Sequence, residues 1–192
     1  MSEEDFCRKT RKSKRPKPCS KNLGIKRINM PQINSLTDYK KLKKIVKDRL
    51  NLNSEEKDIK IKNNIYASQK EINVSRAEDI IEKIIIPQKT TRKSKSTKST
   101  KSTKSTKSKK YIPVILLKDN KNYLVVDGHH RWLAYHLLNK KNKSRSKYKI
   151  YKMKSYVIYV KDIISGFKIL NDTLIKDKHL FHKRHTFKNT NK

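Results

Sequence analysis

The chain has 192 residues, with 51 Lys+Arg against 17 Asp+Glu, a formal charge of +34 and 33% hydrophobic residues. That length suits one domain with tails and is short for two, and the missing apolar residues are concentrated in 7–22, 88–110 and 177–192. A modest core of about 100 to 120 residues surrounded by solvated basic chain is therefore expected.

Several classes are excluded at this level. No apolar run approaches the ~18 residues of a membrane span, so no membrane partner is expected. Cys7 and Cys19 both lie in a basic segment with no secretory signal before it. They predict a reducing compartment and no disulfide framework. The expected location is intracellular, either cytoplasmic or with nucleic acid in a nucleoid, nucleus or virion, and not secreted. Codon bias in an AT-rich genome would inflate lysine whatever the function. The lysines would still bind polyanions non-specifically and in a salt-dependent way.

In chain order, residues 1–28 read as a basic disordered arm, free of acid from residue 6 onward. Order is expected near Ile28, and Met30-Pro31-Gln32-Ile33 reads as a short edge strand. Ser35 or Thr37 would cap a helix reaching Leu50, with Leu36, Tyr39, Leu42, Ile45, Val46 and Leu50 on one face. The alternation in Asp58-Ile59-Lys60-Ile61-Lys62 predicts a short strand. Ser75-Arg76-Ala77-Glu78 fits a capping box opening a second helix, which Pro87 would stop.

Residues 88–110 follow as a low-complexity insert containing four Ser-Thr-Lys triplets at 96–107. With nothing apolar to bury, this insert predicts a disordered basic loop. Residues 111–117 and 123–126 are two strong strand runs around a turn-forming loop. Helix is expected from Arg131 to Leu138 with Trp132 and Tyr135 in its buried stripe, strand over 149–160, and a last helix capped by Asp162. A basic tail of 171–192 closes the chain.

Val125-Val126-Asp127-Gly128-His129-His130-Arg131 carries the chemistry. A buried strand turns through glycine directly into a helix, gathering unpaired N–H groups and the positive helix end at one point. Gly128 lacks a Cβ, so a phosphate could approach the backbone closely. His129, His130 and Arg131 can donate to phosphate oxygens, and Asp127 could hold the turn or help with a metal carried by a nucleotide. Asp-Gly is also an ordinary turn, and the histidines could be plain surface residues.

The segment Asp127-Gly128-His129-His130-Arg131-Trp132-Leu133-Ala134 resembles the DGHHR signature of ParB-like nuclease-family domains. It is similar also to the Gly-Glu-Arg-Arg box of partitioning ParB and the Gly-Cys-His-Arg box of sulfiredoxin. The resemblance extends to 111–117, 123–126 and 75–86, and more weakly to Met30-Pro31-Gln32-Ile33 and Ser68-Gln69-Lys70-Glu71. It implies a small α+β domain with a short mixed sheet and flanking helices, spanning 29–170 around the insert and binding a nucleoside triphosphate, with magnesium where the nucleotide carries it. Residue by residue it implies phosphate contacts from Arg76, Gly128, His130 and Arg131.

Two departures narrow the function. His129 stands where sulfiredoxin needs its nucleophilic cysteine, which argues against sulfinic-acid reduction. Only about 30 residues follow Val160, too few for the helix-turn-helix domain of partitioning ParB.

Three readings follow. The first is a nucleoside-triphosphate-binding module associated with nucleic acid through its basic arms; hydrolysis or phosphoryl transfer fits some relatives, but no base can be named and no catalytic residue is assigned. The second is a non-enzymatic condensing or packaging protein whose pocket is idle. The third is a metal-dependent nuclease using Asp127, His129 and His130, which lacks a second carboxylate near the box. His179, His182 and His185 recur every third residue without a carboxylate or cysteine, so no structural metal is expected.

Overall fold

The computed structural model describes residues 23–61, 64–70, 72–90, 112–142 and 151–176. The protein is α+β, and the described residues form four α-helices and a five-stranded mixed sheet. The strands are β1 (Ser54–Lys60), β2 (Ile65–Ala67), β3 (Val114–Lys118), β4 (Tyr123–Asp127) and β5 (Lys152–Tyr159), and they stand in the order β1-β5-β3-β4-β2. β3 is the centre, antiparallel to β4 and parallel to β5. Helices α1 (Leu36–Lys44) and α4 (Ile163–Lys176) lie on one side, α2 (Val74–Thr90) and α3 (His129–Asn142) on the other.

Central and edge strands differ as their neighbours require. Val114, Ile115, Leu116 and Leu117 are all buried because β3 is covered on both faces, which produces an unbroken apolar run instead of alternation. Its even positions meet Val125, Met153, Val157, Trp132 and Leu133 beneath α2 and α3. Its odd positions meet Leu124, Val126, Ile158, Leu42, Phe167 and Leu170 beneath α1 and α4. The edges are blunted in two ways: β1 buries only Ile59 among charged residues, and β2 is three residues long.

Several expectations need correction. Met30, Gln32 and Ile33 are buried but join no ladder, so this segment is an extended plug under the α1/α4 layer and not an edge strand. The fold begins before Ile28, since Ile25 bridges Gln69 and exchanges backbone bonds with Ser68 and Lys70. Ser35 is the cap of α1, and Asp38 completes its capping box, but regular helix ends at Lys44. A π-turn, Ile45–Arg49, carries the chain on to Leu50. Asn73 caps α2: its Oδ1 accepts the Arg76 N–H at 3.1 Å and the Ser75 hydroxyl at 2.7 Å.

The same helix runs past Pro87 to Thr90, so the insert begins later than residue 88. The proline forgoes one backbone hydrogen bond, and the helix ends within one turn of it. α4 continues to Lys176, beyond the expected boundary at 170. Asp162 does cap it, accepting the Ser165 N–H at 2.7 Å. Gly166 lets α4 lie close on the segment that leaves β5, because a Cβ would come within 2.7 Å of Val160 Cγ1. The bulk of the amino-terminal arm, the Ser-Thr-Lys triplets, Cys7, Cys19 and the three tail histidines lie outside the described residues.

Candidate functional site

The strand–glycine–helix junction forms as the residues dictate. β4 ends at Asp127, Gly128 takes a φ of 86°, and α3 begins at His129. The Trp132 N–H bonds the Gly128 carbonyl at 2.9 Å, closing the first helical turn. The N–H groups before it have no intrahelical acceptor. The Asp127 carboxylate takes the Gly128 and Ile33 N–H groups and sits 3.3 Å from Arg131 Nη2. Burial nonetheless raises its pKa, so the side chain holds the turn from inside the fold.

Arg131 differs most from expectation. Its guanidinium folds back, Nη1 donating to the Ile112 carbonyl and Nη2 to Asp127. A Cβ on Gly128 would lie 2.9 Å from Arg131 Nη2 and 3.2 Å from Val114 Cγ2. The space left by the glycine therefore holds the arginine side chain rather than an incoming phosphate. The physical reason is the carboxylate beneath: Asp127, whose side chain is only 14% exposed, needs a cation against it.

His129 also turns inward. It is 3% exposed, with Nε2 3.2 Å from the Gln69 N–H and 3.1 Å from Ser68 Oγ. The amide donor makes Nε2 the acceptor, so the ring proton belongs on Nδ1. Ser68 Oγ donates in turn to the Val125 carbonyl at 2.5 Å. Burial, then the nearby cations, lowers the His129 pKa to about 3, and the ring is neutral at physiological pH. It staples the end of β2 to the box instead of facing an anion.

His130 is the imidazole left half-buried at the helix start. Its pKa falls to about 4, first through desolvation and then through Arg27, Arg76 and Arg131. Three guanidinium groups thus act on one neutral ring. Of the expected residues, Gly128, His130, Arg131 and Arg76 converge here, while His129 supports from behind and Asp127 anchors the turn. Arg27 was assigned to the arm and is the residue sequence reasoning missed. Its Nη2 donates to Gln32 Oε1 at 3.2 Å, and Gln32 Nε2 returns a bond to the Arg27 carbonyl at 3.3 Å. The available signal was Leu23 and Ile25, two apolar residues that mark the end of the purely basic arm.

Among the described residues no three His, Cys, Asp or Glu side chains gather as a metal site, and no helix is long and apolar enough to cross a membrane. No known family, curated protein or solved structure matches the chain.

Proposed function

We propose that this protein is a ParB/sulfiredoxin-like module that binds a nucleoside triphosphate, with its basic arms holding it near nucleic acid. The observation that carries this reading is the junction where β4 turns through Gly128, at a φ of 86°, into the N-terminus of α3, with Arg27, Arg76 and Arg131 near enough to His130 to lower its pKa. Exposed arginines repel one another unless an anion is available, and a helix N-terminus favours one. The Asp127 carboxylate is already occupied by backbone N–H groups and Arg131. Arg27, Arg76 and the His130 ring are then the groups for the phosphates, and Arg131 is chiefly structural. Magnesium would arrive with the nucleotide. No hydrolytic base is assigned.

A thermal-shift panel of nucleoside triphosphates, with and without magnesium, tests the reading. A rise in melting temperature with triphosphate, larger than with monophosphate, is expected, since ligand binding to the native state stabilises it by mass action.

A second reading has its own support. Arg131 already fills the space over Gly128, as in a domain whose pocket is idle and whose work is nucleic-acid condensation. Absence of any triphosphate shift at millimolar ligand would favour it. The nuclease reading loses support, because Asp127 and His129 are both turned into the fold.

A further inference from the structure

At the sheet end opposite Gly128, a row of side chains crosses four strands. Lys118 on β3 is paired in register with Tyr123 on β4 and with Tyr159 on β5. Its Nζ lies 5.8 Å from the Tyr123 ring centre and 5.2 Å from that of Tyr159. Lys57 on β1 adds a second ammonium 5.1 Å from the Tyr159 ring. All four are half-buried, at the rim of the core layer beneath α2 and α3. Two rings flank one lysine across two strand spacings, on the order of 10 Å.

We propose that this Tyr123–Lys118–Tyr159–Lys57 row is a stacking platform for single-stranded nucleic acid. A ring with an ammonium over its face is a place where a base can stack and release that ammonium to a phosphate. Stacking of a base on an aromatic ring outweighs an exposed cation–π contact, so the exchange is favourable. Two rings separated by a lysine accept two bases while the connecting backbone passes over the cation.

The acids at this end are engaged internally. Glu55 accepts from the Tyr159 hydroxyl and from Lys57, Asp119 accepts the Lys121 and Asn122 N–H groups, and Asp162 caps α4. Lys121 and Lys161 stay exposed at the margin. The chain-wide charge of +34 supplies attraction to any polyanion, whereas the two rings supply a preference for unpaired bases, which a duplex hides. The occupant is thus a single strand, DNA or RNA. This surface is independent of the nucleotide site, which lies at the other end of β4.

The test uses the full chain with labelled oligo-dT, oligo-U and a duplex, read by anisotropy at fixed salt. Tyr123→Ala and Tyr159→Ala should each weaken binding to at least one single strand by about tenfold. Duplex binding should stay unchanged, and Tyr→Phe should retain wild-type affinity. Because Tyr159 packs on the core, ultraviolet cross-linking of the unmodified protein provides a second readout, with adducts expected on peptides bearing Tyr123 or Tyr159. Equal losses for single strand and duplex, or adducts confined to the arms, would overturn the proposal.

Discussion

Gly128 and Arg131 share one small volume, and the substitutions that separate them make the clearest residue-level prediction. Gly128→Ala combines a left-handed φ of 86° with a Cβ 2.9 Å from Arg131 Nη2. It should destabilise the fold by about 1–3 kcal/mol in chemical denaturation. Arg131→Gln should cost about 2 kcal/mol, because Asp127 then keeps a buried carboxylate without its cation. Adding Asp127→Asn should restore part of that loss; strict additivity of the two would mean the pair does not interact.

The histidines predict a pH dependence with a definite sign. His129 and His130 have folded pKa values of about 3 and about 4, below the ordinary 6.5. The unfolded chain therefore binds more protons below pH 6.5, and their contribution is complete above that value and lost as pH falls toward 3. Asp127, raised by burial, works in the opposite direction and offsets part of it. The urea midpoint should hold near neutrality and fall on acidification below about pH 6.5. In NMR titration the His129 ring should stay neutral through pH 5; a transition near its ordinary value would contradict its burial.

The sequence made the box legible as a strand–glycine–helix turn because that pattern is local. It could not tell that His129 and Arg131 point into the fold. Their partners, Ser68, Gln69 and Ile112, come from distant segments that only the sheet brings together. Arg27 was lost for the same reason, since its neighbours in space are Gln32 and His130 rather than the basic arm that precedes it.

At the scale of elements, long apolar runs were readable and short or polar ones were not. β3, β4 and the second half of β5 are buried on both faces and announce themselves by composition. β2 has three residues and no period to read, so Ile65, Tyr66 and Ala67 passed unnoticed. β1 exposes nearly all of its side chains and was seen only around Ile59. The plug at Met30–Ile33 reads like a strand because burial, not pairing, selects its apolar residues.

Caps are close contests among neighbouring polar residues, and α2 supplies a test. Asn73→Ala removes the acceptor for the Arg76 N–H and should cost about 1 kcal/mol. Ser75→Ala should cost less than half of that, because the Ser75 hydroxyl donates to Asn73 and caps no backbone group in that contact. The reverse order, measured by thermal or urea unfolding, would restore Ser75 as the cap.

For the whole molecule, charge and fold act at different ranges. With a formal charge of +34, the chain should bind nucleic acid with an affinity that falls steeply as salt rises. Affinity that kept its strength from low to high salt would rule out counterion release as the driving force. A triphosphate at the start of α3 draws on specific groups instead, and specific variants must move it. The decisive measurement is calorimetric titration of a nucleoside triphosphate with magnesium into wild type, Arg27→Gln, Arg76→Gln and a variant carrying serine for the lysines of 96–107. Wild type should bind, each arginine variant should lose about tenfold in affinity, Arg76→Gln with an unchanged melting temperature and Arg27→Gln with a lowered one because Gln32 loses its donor, and the serine variant should match wild type at fixed ionic strength. Failure of wild type to bind any triphosphate, or loss of binding only in the serine variant, would contradict a phosphate site at His130.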